Sequence, residues 1–394
     1  MTVYQELGIK TLINAKGPAT RLSGGIMRPE VSAAMSEASQ FCVDIAELQA
    51  AASATISELT GAEAGYVASG ASACLLIAAA ATMTGLNPGR MARLPDTTGM
   101  RNECIMVRSQ RNFYDHAVRA AGMRIVEVGL PDRYAGAGVR DAEAWEIEDA
   151  INERTGAVFY VADAHARPSL SAVVTVAHSH GIPVIVDAAA QLPPQENLRR
   201  FTSEGADLVA FSGGKAIGGP QASGILAGKR DLVMAAALQH LDLDIYEDMW
   251  SPPSRLIDKS RLKGTPVHGI GRSCKAGKEE IVGLLAALRM FVAEGDAPRH
   301  ARWLQDCQTI ASALSGHLVS VTGGNDIGCV PTVEVTLDVG HGDVAQFCNR
   351  LQNGTPSIVI DPIHRDRGIA TVNPMCLKPG EAEVVGRELS RALG

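Results

Sequence analysis

Lys215 stands in Leu208-Val-Ala-Phe-Ser-Gly-Gly-Lys215-Ala-Ile-Gly-Gly-Pro220, an apolar run feeding a glycine-rich loop that holds one lysine. The glycines let backbone approach a bulky ligand closely. A lysine with little room for its charge is the amine that Schiff-base chemistry with an aldehyde needs; as a bare pattern it is equally a surface lysine in a turn. Upstream, Pro183-Val-Ile-Val-Asp187 is an apolar run ending in a carboxylate. Such an Asp either caps the next helix or lies beside a pyridine nitrogen, where it keeps the ring protonated and strengthens it as an electron sink. Earlier still, Val67-Ala-Ser69-Gly70-Ala71-Ser72 leads into an Ala-rich stretch through small and hydroxylic residues. Exposed N–H groups and the helix dipole favour an anion there, although close packing of a turn asks for small residues too.

The three sites narrow one another. An anion turn, an acidic strand end and a lysine after the next strand, in that chain order, match the phosphate, the ring nitrogen and the aldehyde of pyridoxal 5′-phosphate (PLP). The elements that must position them are short apolar runs alternating with amphipathic segments, the pattern of a mainly parallel sheet covered by helices. The runs predict strands at Ala64–Ala68, Glu103–Val107, Arg124–Val128, Ala157–Val161, Pro183–Val186, Leu208–Phe211 and Gly224–Ala227. Helices are predicted at Ala46–Thr60, Ala71–Thr84, Tyr114–Ala121, Ala142–Asn152, Leu170–His180 and Leu232–Gln239. In a parallel sheet, ligands bind beyond the carboxyl ends of the strands. The gap between Asp187 and Lys215 is one helix plus one strand, which brings both to the same sheet edge.

At 394 residues, 46% of them hydrophobic, the chain has room for two domains. The pattern predicts an irregular arm at 1–25, a large domain at 26–270 with a loop-rich crossing over 240–270, and a linking helix with a smaller C-terminal α/β domain at 271–394. A net charge of −7 argues against nucleic acid as a partner. Eight cysteines form no Cys-x-x-Cys pair, so neither a metal site nor a disulfide framework is expected, and buried thiols in a reducing cytoplasm are. The start, Met1 to Glu6, lacks the basic and apolar stretches of a secretory signal. The longest apolar stretch, Ala71–Thr84, is shorter than the roughly 20 residues of a membrane span.

Across nearly its whole length the sequence resembles PLP enzymes of the aspartate aminotransferase fold, and within them the selenocysteine synthase-like branch that includes D-glucosaminate-6-phosphate ammonia-lyases. The resemblance is carried by Leu12-Ile-Asn-Ala15, Gly61-Ala-Glu63 with Ser69-Gly-Ala71, Tyr114-Asp115, Arg119-Ala-Ala-Gly122, Val186-Asp-Ala-Ala-Ala-Gln191, Ser212-Gly-Gly-Lys215, Gly219-Pro-Gln221, Gly271-Arg272 with Lys275, and Lys278-Glu-Glu280. It implies a PLP-dependent transferase-like fold of type I, with a seven-stranded sheet, and at least a homodimer. Lys215 would carry the Schiff base and act as acid and base, and Asp187 would pair with the ring nitrogen. Ser69, Gly70, Ala71, Ser72 and Ser212 would hold the phosphate. Ala189 and Gln191 would lie near the ring, Gln191 against its phenolic oxygen. Arg272 and Lys275 become candidates for a cofactor or substrate phosphate, across a dimer interface. One departure stands out: where relatives carry a His after the strand, this chain has Gln110. Ring stacking then falls to Gln110, Phe113 or His116. His165 is a further site candidate against a solvated turn histidine. Arg365, with Arg367, is a candidate for gripping a substrate carboxylate.

The resemblance implies a lyase acting at the α-carbon of an amino acid or aminosugar acid, losing water and then ammonia to leave a 2-keto acid. A racemase or epimerase is the alternative, and would need a second acid/base such as His116, His165 or a cysteine. A selenocysteine synthase-like transferase fits less well, because those bacterial enzymes carry an N-terminal tRNA-binding domain and the arm here is short. A non-catalytic PLP-binding paralogue stands as the reading from a different class.

Overall fold

The computed structural model describes residues 2–130, 141–338 and 342–394. The chain divides into two compact units. One comprises Pro29–Leu192 and Glu196–Arg289; the other comprises Met1–Arg28, Pro193–Gln195 and Met290–Gly394. The sequence boundaries at 25/26 and 270/271 therefore differ from the compact units. The residues expected as an irregular arm belong with the C-terminal unit, where Leu12–Asn14 pairs in parallel with Ser357–Val359. The later division falls inside the long helix Lys278–Glu294, whose unbroken apolar periodicity gives the sequence no mark of a boundary.

The first unit is built on a seven-stranded sheet in the order Ala64–Ala68, Gly224–Gly228, Leu208–Ser212, Val184–Asp187, Thr155–Val161, Glu103–Val107, Arg124–Val128. Every pairing is parallel except those of Gly224–Gly228, which runs antiparallel to both neighbours. Because Ala64–Ala68 and Leu208–Ser212 both oppose that strand, they share a direction. Six carboxyl ends thus face one edge. All seven strands stand within two residues of their sequence positions. Most are buried along their length because helices cover both faces.

Helix Ala71–Thr84 is largely apolar and embedded beyond its first turn: Cys74, Leu75, Ile77, Ala78, Ala79, Ala80, Ala81 and Met83 are buried. Its small side chains allow close approach to the sheet and to helix Arg230–His240. The predicted helix at Tyr114–Ala121 is instead a 3₁₀ turn, Phe113–Asp115, followed by the short helix His116–Ala120. The Asn112 side chain accepts the Tyr114 N–H and fixes that turn, a local competition that favours turns over helix. Between Leu241 and Gly269 the only helical element among the described residues is the 3₁₀ turn Lys259–Arg261, in keeping with the loop-rich reading.

The second unit carries a three-stranded antiparallel sheet, Val319–Thr322, Thr332–Thr336 and Ile369–Val372. Helices Asp296–Ser312, Val344–Asn353 and Glu381–Leu393 bury Cys307, Ile310, Phe347 and Leu389 in a core of their own.

Candidate active site

Asp187 is the last residue of its strand and pairs in register with Val161 on one side and Ala210 on the other. The carboxylate is 7% exposed. Its Oδ1 accepts the Ala189 N–H at 3.0 Å, so the residue shapes the turn that presents Ala189 rather than capping a helix. Burial pushes the carboxyl above its usual range, against the pull of the Ala189 N–H and the Lys215 charge.

Lys215 lies just beyond the neighbouring strand, in a turn closed by Gly218 N–H to Lys215 O at 2.9 Å. Burial holds its ammonium below the ordinary lysine value, with the Asp187 charge opposing. Among the described residues its Nζ makes no hydrogen bond or ion pair, so nothing in the fold ties up the amine. An amine held there is deprotonated more readily than a surface lysine, as a nucleophile toward an aldehyde must be. The rate at which apoprotein captures PLP should therefore rise with pH through a midpoint below that of free lysine, read by stopped-flow absorbance. A midpoint at the ordinary value would show that burial does not activate this amine.

The Ser69–Ser72 turn leaves the edge strand at the same sheet edge. Gly70, at φ 142°, caps helix Ala71–Thr84 without a side-chain hydrogen bond. That conformation favours glycine, and the uncapped first turn leaves N–H groups for an anion. Ser72 is exposed, while Ser69, Gly70, Ala71 and Ser212 are half-buried. Gly224 supports the turn from below: a Cβ on it would meet Gly70 C at 2.3 Å and Ala71 N at 2.5 Å. Gly224→Ala should displace the turn and weaken PLP binding roughly tenfold or more, since overpacking costs about 1–3 kcal/mol. Equilibrium dialysis reads this, and unchanged affinity would remove the turn from the phosphate site.

A polar network that the sequence did not signal holds the turn from the other side. The Cys274 carbonyl accepts Ser69 N–H at 3.0 Å and His240 Nε2–H at 2.8 Å. His240 Nδ1 then accepts the Tyr66 hydroxyl at 2.8 Å. Burial pushes His240 down to about 4, so the ring is neutral at physiological pH and fills both roles. The segment of Arg272 and Lys275 is thereby fastened to the Ser69 turn. Arg272 pairs with Asp242 at 2.9 Å, whereas Lys275 is exposed.

Gln110 follows strand Glu103–Val107 and accepts the Val161 N–H through Oε1 at 2.9 Å. Its Nε2 is buried and has no partner. Gln191 is half-buried beyond Asp187, its backbone carbonyl taken by Asn197 Nδ2 at 2.6 Å. His165 is exposed after strand Thr155–Val161, its N–H bonded to Asp163. His116 is exposed and Phe113 is 92% exposed. Arg365 and Arg367 bound a 3₁₀ turn of the second unit.

These residues suit PLP on their own chemistry. A buried carboxylate, an unpaired amine just beyond the adjacent strand, an uncapped helix start and an orphan amide donor are the partners of a ring nitrogen, an aldehyde, a phosphate and an oxygen acceptor.

Comparison with known proteins agrees. A family profile described as SelA: L-seryl-tRNA selenium transferase matches residues 27–244. The chain is 32% identical to D-glucosaminate-6-phosphate ammonia lyase of Salmonella typhimurium, covering 97% of this chain and 95% of that protein. It is 31% identical to 5'-C-glycyluridine monooxygenase-decarboxylase of a Streptomyces species, over 99% and 92% of the two chains. A solved structure of D-glucosaminate-6-phosphate ammonia-lyase superposes with a TM-score of 0.80 at 30% identity, covering 100% of this chain and 99% of that one.

Proposed function

Since the chain belongs to the L-seryl-tRNA selenium transferase family and has the PLP-dependent type I fold, we propose that it is an ammonia-lyase acting at the α-carbon of an aminosugar acid of the glucosaminate type. The observation that carries this reading is the pair of Asp187 and Lys215 on adjacent parallel strand ends, each felt in the other's pKa.

PLP bound there supplies an electron sink for the charge left when the α-proton departs. Lys215 would hold the cofactor through Nζ, and the same atom is the base that would take the α-proton. Asp187 keeps its charge beside the ring nitrogen and so holds that proton in place. The N–H groups of the Ser69–Ser72 turn and the Ser212 hydroxyl bind the phosphate. Ala189 and Gln191 border the ring. Arg272, Lys275 and His165 are the groups on this edge available to a substrate phosphate or hydroxyl.

Exposed Val3, Tyr4, Leu7 and Ile9 support assembly into at least a homodimer. Eight unpaired cysteines suit a reducing cytoplasm. No helix among the described residues is long and apolar enough to cross a membrane.

The test is product analysis of PLP-loaded protein with D-glucosaminate, its 6-phosphate and a panel of β-hydroxy amino acids. Equal amounts of a 2-keto acid and ammonia are expected from one of the aminosugar acids. Exchange of the α-hydrogen with inversion and no ammonia would establish the racemase reading instead. No product from the whole panel, with PLP bound, would end the lyase reading.

A further inference from the structure

Gln110 closes the 3₁₀ turn that follows strand Glu103–Val107, and the surroundings give its amide one orientation. Val161 offers an N–H, which only Oε1 can accept, so Nε2 is the atom left over. That donor is buried without a partner. An unsatisfied buried donor costs about 1–3 kcal/mol, and such a group in a native fold calls for an acceptor supplied from outside the chain.

The order of strands indicates which acceptor. The Ser69 turn leaves the edge strand, Lys215 and Asp187 follow the third and fourth strands, and Gln110 follows the sixth while bonding to Val161 on the fifth. Val161 is the register partner of Asp187. In PLP, the phosphate arm and the phenolic oxygen lie on opposite sides of the line from ring nitrogen to aldehyde carbon. With the nitrogen at Asp187 and the phosphate toward Ser69, the phenolic oxygen faces the strands that hold Gln110.

Resting on the PLP reading above, we propose that Gln110 acts as a hydrogen-bond donor to the phenolic oxygen of the bound cofactor rather than as a stacking group. It is a positioning residue that sets the protonation of the neighbouring Schiff-base nitrogen. The phenolate and the proton on that nitrogen attract one another; a donor on the phenolate weakens the attraction and lets the proton leave at lower pH. Gln191 can reach the same oxygen only through a side chain that makes no hydrogen bond among the described residues.

Gln110→Glu tests this with a change of one group, since a carboxylate oxygen still accepts the Val161 N–H while the donor becomes an acceptor. PLP stoichiometry, PLP affinity and the pH titration of the visible band are measured on wild type, Gln110→Glu, Gln110→Leu and Gln191→Leu, without substrate. The expected result is a band midpoint raised by about one pH unit in Gln110→Leu and by more in Gln110→Glu, each a larger shift than that of Gln191→Leu. Where one Gln110 variant takes up no cofactor, the other is decisive, and loss of loading by both with native circular dichroism supports the contact. Unshifted midpoints in both loaded Gln110 variants, or an equal shift in Gln191→Leu alone, would overturn it. If wild type forms no band, or Lys215→Ala retains it, the PLP reading itself has failed, and that outcome is distinct.

Discussion

Lys215→Ala is expected to lose roughly 10⁴-fold or more in kcat, because in the proposed reaction the same Nζ would tether the cofactor and accept the α-proton. Structural damage should be small. The side chain makes no hydrogen bond or ion pair among the described residues, and its charge sits where burial disfavours it. The sign follows: a lysine whose folded pKa lies below its unfolded value destabilises the fold at neutral pH, and the penalty fades as pH rises through the folded value. The alanine protein should therefore fold at least as stably as wild-type apoprotein at pH 7. Borohydride reduction of loaded wild type should fix the cofactor to the peptide containing Lys215, and the variant should yield no labelled peptide. Small external amines should restore part of the activity by taking over the proton transfer. Labelling of another lysine would refute the assignment.

Asp187→Asn should separate activity from stability in opposite directions. Burial raises the carboxyl's folded pKa above its unfolded one. The apoprotein accordingly loses stability as pH rises from the unfolded value through the folded one, and stays lower above it. Asparagine removes that penalty while its carbonyl can still accept the Ala189 N–H at the position of Oδ1. Apo Asp187→Asn should melt at a higher temperature than apo wild type at pH 7. With PLP bound the comparison should reverse, because in the proposed site the carboxylate would face a protonated ring nitrogen and offset its own burial. Loss of that charge should lower kcat by roughly 10²–10³-fold, as removal of one preorganised electrostatic partner does. Calorimetry with and without cofactor reads both halves. An apo variant less stable than wild type would show that the buried charge is not the dominant cost, and full activity would show that Asp187 does not serve the ring.

Much of this was legible because local chemistry and alternation coincide. Strands buried on both faces are written as continuous apolar runs, and all seven stand where those runs stand. Lys215, Asp187 and Ser69–Ser72 were found from residue types at strand ends, which parallel topology turns into a common edge. The helix predicted at Tyr114–Ala121 begins only at His116, behind a 3₁₀ turn, because Asn112 captures a backbone N–H, a contact that helical periodicity does not encode. The unit boundary inside Lys278–Glu294 was hidden by that helix's continuous pattern.

By itself, then, the sequence determined which strands exist, that they form a mainly parallel α/β sheet, and that Lys215, Asp187 and the Ser69–Ser72 turn follow strand ends at its carboxyl edge. These follow from short-range spacing and hydrophobic pattern, which act residue by residue. Only the tertiary structure decided that Gly224 runs antiparallel beneath Gly70, that Cys274 O joins Ser69 to His240 and Tyr66, and that the Gln110 amide ends in an orphan donor. Those contacts join residues far apart in the chain. Their partners are chosen by packing and by the cost of leaving a buried polar group unmet, and neither quantity is carried by any local stretch of sequence.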